Sequence, residues 1–187
     1  TTYGMLYYGG RPTVTGNYVN NSTYPIGLFH DTQLDLAANS FTNIHYPAVL
    51  VGNTMSSSRT WRPLINDWAY LVWEDLIIDA GDTLTVEPGT IVKFRHMTSQ
   101  HDKRRIVANG ALLARGSQAH PIVFTSSRDD SLGGDTNRDG LDTRAASGDW
   151  GYIQLAGSGS RIDRCSIRYG GYKDDNLSDY QESWHNY

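Results

Sequence analysis

YPIGLF (residues 24–29) returns as YPAVLV (residues 46–51), a shift of 22 positions. Tyr3-Gly4-Met5-Leu6-Tyr7 precedes the first copy by a similar interval, and Val14-Thr15-Gly16-Asn17-Tyr18-Val19 returns as Leu36-Ala37-Ala38-Asn39-Ser40-Phe41, again 22 on. A fixed period of this length, with short alternating strands and no helical pattern, is the mark of a parallel β-solenoid in which each repeat is one coil. Asn17 and Asn39 fit a recurrent turn, because Asn tolerates left-handed backbone and can hydrogen-bond along a stack of like residues.

From Leu76 the period continues in different residues. Leu84 and Val86 alternate before the turn Glu87-Pro88-Gly89, followed by Val92 and Phe94. Ile106 and Ala108 lie 22 residues after the first pair, and Leu112 and Ala114 lie 20 after the second. Ile122 with Phe124, Ile153 with Leu155, and Cys165 with Ile167 supply further inward pairs. Cys165 is then a small core residue. Taking Ile122 and Ile153 as successive positions gives a spacing of 31 residues, which places a long loop insertion near 125–149.

The expected organisation is a single all-β domain over 1–187. It comprises N-terminal coils (1–52), an aromatic-rich packed crossover (53–75), further coils (76–171) and a polar and aromatic C-terminal arm (172–187). Trp61, Trp68 and Trp73 in the crossover either cover the flank of the solenoid or form a platform on which sugar rings stack.

Composition narrows the function classes. Sixteen Lys and Arg against twenty Asp and Glu give a net charge of −4, which argues against general affinity for nucleic acid. No apolar run approaches the ~20 residues of a membrane-spanning helix. The single Cys165 excludes an internal disulfide framework. The chain opens Thr1-Thr2-Tyr3, which reads as a mature product or an excised piece.

GGDTNRDGLD (residues 133–142) carries the chemistry. Its pattern Asp135-x-Asn137-x-Asp139-Gly140-x-Asp142 is that of the first half of a calcium loop, with oxygen ligands at alternate positions and a glycine for the sharp turn. The expected Ca2+ ligands are Asp135, Asn137, Asp139, Leu141 and Asp142. The twelfth position is Ala146, so the closing Glu is missing, and Asp129, Asp130 or Asp149 is left to supply a carboxylate. A solvated Asp/Asn/Gly turn is the competing reading. Asp129 with Asp149 is a weak catalytic pair for glycoside hydrolysis. His96, His101 and His120 match no metal-ligand spacing, and the Asn20, Asn21 and Asn176 glycosylation patterns carry little weight.

DTLTVEPGTIVKF (82–94), VANGALLARGSQAHPIVFTS (107–126), RDDSLGGDTNRDG (128–140), SGDWGYIQL (147–155) and SRIDRCSIRYGG (160–171) resemble secreted bacterial right-handed parallel β-helix proteins with the pectate-lyase-like fold. The resemblance implies a right-handed β-helix in an extracellular or cell-surface protein, with this chain a fragment of a longer one. Such coils serve as noncatalytic scaffolds, stalks or adhesion modules, which is the leading expectation. The alternatives are part of a carbohydrate-active enzyme, a polysaccharide lyase or glycoside hydrolase, and a fibre subunit that associates end to end through exposed coil ends. The expected partners are a polysaccharide or cell-surface glycan.

Overall fold

The computed structural model describes residues 3–10, 14–32, 39–99 and 102–171. Leu36 to Ala38, His101, Asn176 and the arm 172–187 lie outside them. Among the described residues the fold is all-β: β1 (Tyr3–Gly10), β2 (Tyr18–Asn20), β3 (Tyr24–Thr32), β4 (Ser40–Thr42), β5 (Ala48–Met55), β6 (Arg59–Trp61), β7 (Ala69–Ile78), β8 (Thr83–Val86), β9 (Ile91–Phe94), β10 (Ile106–Ala108), β11 (Ala111–Arg115), β12 (Ile122–Ser126), β13 (Ile153–Leu155), β14 (Arg161–Asp163) and β15 (Cys165–Ile167), with one short 3-10 turn at Ile65–Asp67.

Every strand pairing among the described residues is parallel, an arrangement compatible with a β-helix. β1, β3, β5, β7, β9, β12 and β15 pair in that order, and β10 and β13 continue the same sheet from the second half of β7. A four-stranded sheet runs β14-β11-β8-β6, and β2 pairs with β4. β5 and β7 are long enough to turn a corner. Ala48–Val51 face Ala69–Val72, and after a register break Asn53–Met55 face Leu76–Ile78.

Alternation places Ile26, Val49, Tyr70, Val92 and Phe124 on the inner side, where they join Ile78, Leu84, Ile106 and Leu112 in one apolar core. Full burial of a side chain of this size is worth about 1.5–3 kcal/mol, so stacked rows of them hold the parallel sheets together. Cys165 packs against this core from a partly buried position, and burial raises its thiol pKa.

The register departs from a uniform period of 22. Ile26 faces Val49 rather than Ala48, a shift of 23. Leu84 faces Leu112 and Val86 faces Ala114, so the spacing that links Leu84 to Ile106 is a coincidence of arithmetic; Ile106 faces Leu76. Ile122 faces Cys165, and Ile153 faces Ile106. For the strands after β9 the cause is a pair of added segments, 95–105 between β9 and β10 and 127–152 between β12 and β13, which leave the sheet at the same corner. Extra residues at a corner alter the count without altering the stacking.

Residues 53–75, expected as a crossover, hold β6 and the start of β7 and continue the sheets directly. The Asn expectation divides in two. Asn17 donates to Asn39 Oδ1 through both its backbone N and its Nδ2, each at 3.0 Å, forming the stacked ladder. Left-handed backbone falls instead at other asparagines, among them Asn21 (φ 54°) and, 22 residues on, Asn43 (φ 51°).

Candidate functional site

The outer side of the β3–β12 sheet, away from the main apolar core, should face water if nothing covers it. Instead Ala48, Leu50, Ala69 and Leu71 are buried there, as is Lys93, all at 0–1% exposure. Ala48, Leu50 and Leu71 pack with Tyr24 and Phe29 in a second apolar cluster, while Ala69 and Lys93 are covered by the segment after β12, which folds back across the sheet as a clasp. Gly133 sits against it with φ +67°, and a Cβ there would lie 3.1 Å from Ala69 Cβ, 3.2 Å from Lys93 Cε and 3.3 Å from Ile91 Cγ2. Gly134 packs on Pro47, and Arg138 Nη1 lies 2.8 Å from His45 Nδ1. Gly133 and Gly134, the first two of the three glycines of GGDTNRDGLD, are therefore required by close approach as well as by left-handed backbone.

Lys93 is the centre of the contact. Its Nζ donates a 2.6 Å hydrogen bond to the Gly134 carbonyl. Burial lowers its pKa to about 8, against the opposing pull of Asp130, Asp129 and Asp135. An alternating strand with a lysine at an outward position, TIVKF, contains this signal, but the sequence does not say that the outward face is covered.

Both ends of the clasp are tied down by buried carboxylates. Asp149, 4% exposed, accepts 2.7 Å and 3.1 Å hydrogen bonds from Ser126 Oγ and the Ala146 amide, and pairs with Arg128 at 3.3 Å. His96 Nδ1 lies 3.4 Å from it, and burial lowers the His96 pKa despite that neighbour. Asp129, 5% exposed, accepts from Thr125 Oγ1 at 2.7 Å and from the Ser131 hydroxyl. Burial acts to raise its pKa, yet the bonds from Ser131 and Thr125 bring it below the ordinary value. Beside Asp149, Trp150 stacks on Phe94 at 4.0 Å and donates from Nε1 to the Arg168 carbonyl at 2.8 Å.

The acidic loop forms the tip of the clasp. Asp135 accepts from the amides of Arg138 and Gly140, while Asp139 Oδ2 accepts from Asn137 Nδ2 at 2.9 Å and from the Thr143 hydroxyl. One carboxylate oxygen from each of Asp130, Asp135 and Asp139 falls within 4.8 Å of the others. Asp130 Oδ1, Asn137 Oδ1 and Asp139 Oδ1 are buried without hydrogen-bond partners. Such orphaned oxygens are what a hard cation would satisfy, and the three carboxylates could hold a metal ion. Burial, with Asp135 next, raises the pKa of Asp130. Of the three acids left open to complete the loop, Asp130 is the one brought to it. The Leu141 side chain is 86% exposed, and Asp142 is exposed outside this group, its amide donating to the Asp139 carbonyl.

The clasp leaves a hollow of about 440 Å³ beside it, lined by Tyr24, Tyr46, Trp73, Arg95, Arg128, Asn137 and neighbouring residues. Among the tryptophans of the described residues only Trp73 lines this hollow. Trp61 is buried and stacked on Tyr70 at 4.6 Å, and Trp68 is buried against Phe41, so neither presents a face to a sugar ring. His120 lines a second hollow on the far side of the clasp, of about 580 Å³.

Comparisons with protein-family models, curated proteins and solved structures return no match to this chain. No helix among the described residues is long and apolar enough to cross a membrane.

Proposed function

We propose that this chain is a stretch of right-handed parallel β-helix serving as a noncatalytic scaffold or adhesion module of an extracellular or cell-surface protein, with a Ca2+ ion pinning the tip of its clasp. The observation that carries the reading is the use of Asp129 and Asp149. A hydrolase needs one carboxyl free to protonate a leaving group and another facing the sugar or a water. Here both are buried and saturated by hydroxyls, amides and guanidinium groups, as befits anchors of a folded-back segment.

The β-helical reading rests on the parallel pairing, the corner-turning strands and the inward rows of apolar residues. The cation reading rests on Asp130, Asp135 and Asp139 with their orphaned oxygens. Incubation with a panel of uronate and neutral polysaccharides, with calcium present, tests the noncatalytic role. Unchanged chain length is expected, and new reducing ends or unsaturated products would overturn it.

End-to-end association is a second reading, favoured by the exposed Leu155 and Ile167 on the last strands and Leu6 and Tyr8 on the first. Light scattering under dilution tests it: a mass that falls on dilution supports association, and a constant monomer mass removes it.

A further inference from the structure

We infer that the hollow beside the clasp binds an aromatic phosphate monoester, a ligand site that goes beyond the scaffold role and uses none of the cation's oxygens. Its charged side is made of hydrogen-bond donors left without acceptors. Ser126 faces Phe94 across β12 and β9, so Ser127 and Arg95 leave the sheet side by side, and the His96 amide donates to Ser127 Oγ at 2.9 Å. Arg95, Ser127 and Arg128 line the hollow together.

Arg95 carries the open charge. Its guanidinium carbon lies 3.7 Å from the centroid of the Trp73 ring, and the guanidinium makes no hydrogen bond or ion pair among the described residues. Stacking on the indole fixes its plane and leaves its N–H edge open. Arg128 adds a second donor. Its Nη1 lies 3.3 Å from Asp149, which also accepts from the Ser126 hydroxyl and the Ala146 amide, while Arg128 Nε is buried without a partner. Ser127 adds a third. It is 2% exposed, its oxygen already accepts from His96, and its hydroxyl hydrogen meets no acceptor among the described residues.

A donor buried without an acceptor is costly, and one anion set among these three removes the cost. A carboxylate offers two oxygens in one plane, whereas the donors come from the ends of two neighbouring strands. A phosphate monoester offers three strong acceptor oxygens and close to two negative charges, which matches a guanidinium edge, a lone Nε and a hydroxyl together. Asn137 and Asp139 also line the hollow, but their free oxygens are those proposed to hold the cation and take no part here.

The rest of the hollow is aromatic. Tyr24 and Tyr46 stack at 4.5 Å, and Trp73 meets Tyr24 edge-on at 5.4 Å. The Trp73 face is occupied by Arg95, whereas Tyr46 is half-buried and touches no ring but Tyr24 among the described residues, so an aryl group belongs against Tyr46. A volume of about 440 Å³ far exceeds that of a phosphate group and holds a ring beside it.

The test is titration of the intact chain with phenyl phosphate, inorganic phosphate and sodium benzoate at constant ionic strength, followed by tryptophan fluorescence and calorimetry. Metal-free buffer prevents a cation from bridging the phosphate, so failure here is separate from failure of the scaffold or cation reading. Saturable binding of phenyl phosphate is expected, about ten-fold tighter than inorganic phosphate, which lacks the ring, and than benzoate, which lacks the third oxygen. Arg95→Gln should weaken phenyl phosphate and inorganic phosphate alike, by about ten-fold. Tyr46→Leu should bring phenyl phosphate down to the level of inorganic phosphate and leave inorganic phosphate unchanged. No saturable binding of phenyl phosphate, equal affinity for benzoate or inorganic phosphate in the native chain, or unaltered binding in Arg95→Gln would each overturn the assignment. Unchanged circular dichroism of each variant secures the comparison, and the ranking of the three probes by the native chain decides the matter without any variant.

Discussion

Lys93 donates a 2.6 Å hydrogen bond to the carbonyl of Gly134, joining the middle of β9 to the tip of a segment 41 residues later. The bond explains how a charged side chain at 0% exposure is tolerated in a sheet of alanine, leucine and isoleucine. Its charge is met by the acids of the clasp, and the clasp in turn excludes water from the sheet. The cost is visible in the pKa of about 8.

That shift gives a pH dependence of definite sign. The folded chain gives up the Lys93 proton at about 8, whereas the unfolded chain retains it to about 10.4. Between these values the unfolded state binds more protons, so the Lys93 contribution makes the protein more stable as pH rises. Tyr24, raised to about 12 by burial, acts in the opposite direction above pH ~10 because its folded form keeps the proton longer. Lys93→Met isolates the lysine contribution. The difference in unfolding free energy between native chain and variant should change by about 1–3 kcal/mol across this window, and a pH-independent difference would contradict it.

Gly133→Ala places a methyl group against Ala69, Lys93 and Ile91 at 3.1–3.3 Å and strains a left-handed backbone. The expected loss is about 1–3 kcal/mol, read as a lowered denaturation midpoint. Gly140→Ala has the same backbone sign, φ +65°, and open space around the added carbon, so it should lose less than Gly133→Ala.

Trp150→Ala removes the stack on Phe94 and the bond to the Arg168 carbonyl at the base of the clasp. A loss of about 3–5 kcal/mol is expected in chemical denaturation. The lesion also frees the end of the clasp, so trypsin should cut the variant at Arg138 or Arg144 under conditions where the native chain resists.

Calcium should raise the melting midpoint, because a ligand bound only by the folded state stabilises it. Asp130→Asn should abolish most of that rise, whereas Asp142→Asn should leave it nearly intact. The reverse ranking in melts with calcium and with chelator would restore the consecutive-loop ligand set. The contrast follows from Asp130, Asp135 and Asp139 sharing one point while Asp142 stays exposed.

Much of the β-architecture was legible. The alternation of Leu84 with Val86 and of Val92 with Phe94, together with the Asn17–Asn39 interval, marks short stacked parallel strands, because side-chain period and repeat period are local properties of a chain. The pairing of Leu84 with Leu112 was not legible, since it depends on how many residues leave the sheet at a corner. The clasp was seen as an insertion but not as a cover. Nothing local to GGDTNRDGLD tells that Gly133 will meet Ala69, 64 residues earlier in the chain. For the same reason Trp61 and Trp68 could not be told from Trp73: the face of the coil on which an indole falls depends on register, not on composition.

Hydrogen exchange of the native chain, measured peptide by peptide in calcium and in chelator, tests the clasp and its cation together. Peptides from 127–149 should exchange far more slowly than an unfolded segment, since Gly133 packs on Ala69, Ile91 and Lys93, and calcium should slow 130–140 further. Exchange of 127–149 at unfolded-chain rates, with or without calcium, would mean that the segment does not cover the sheet, and the account of the site would fall with it.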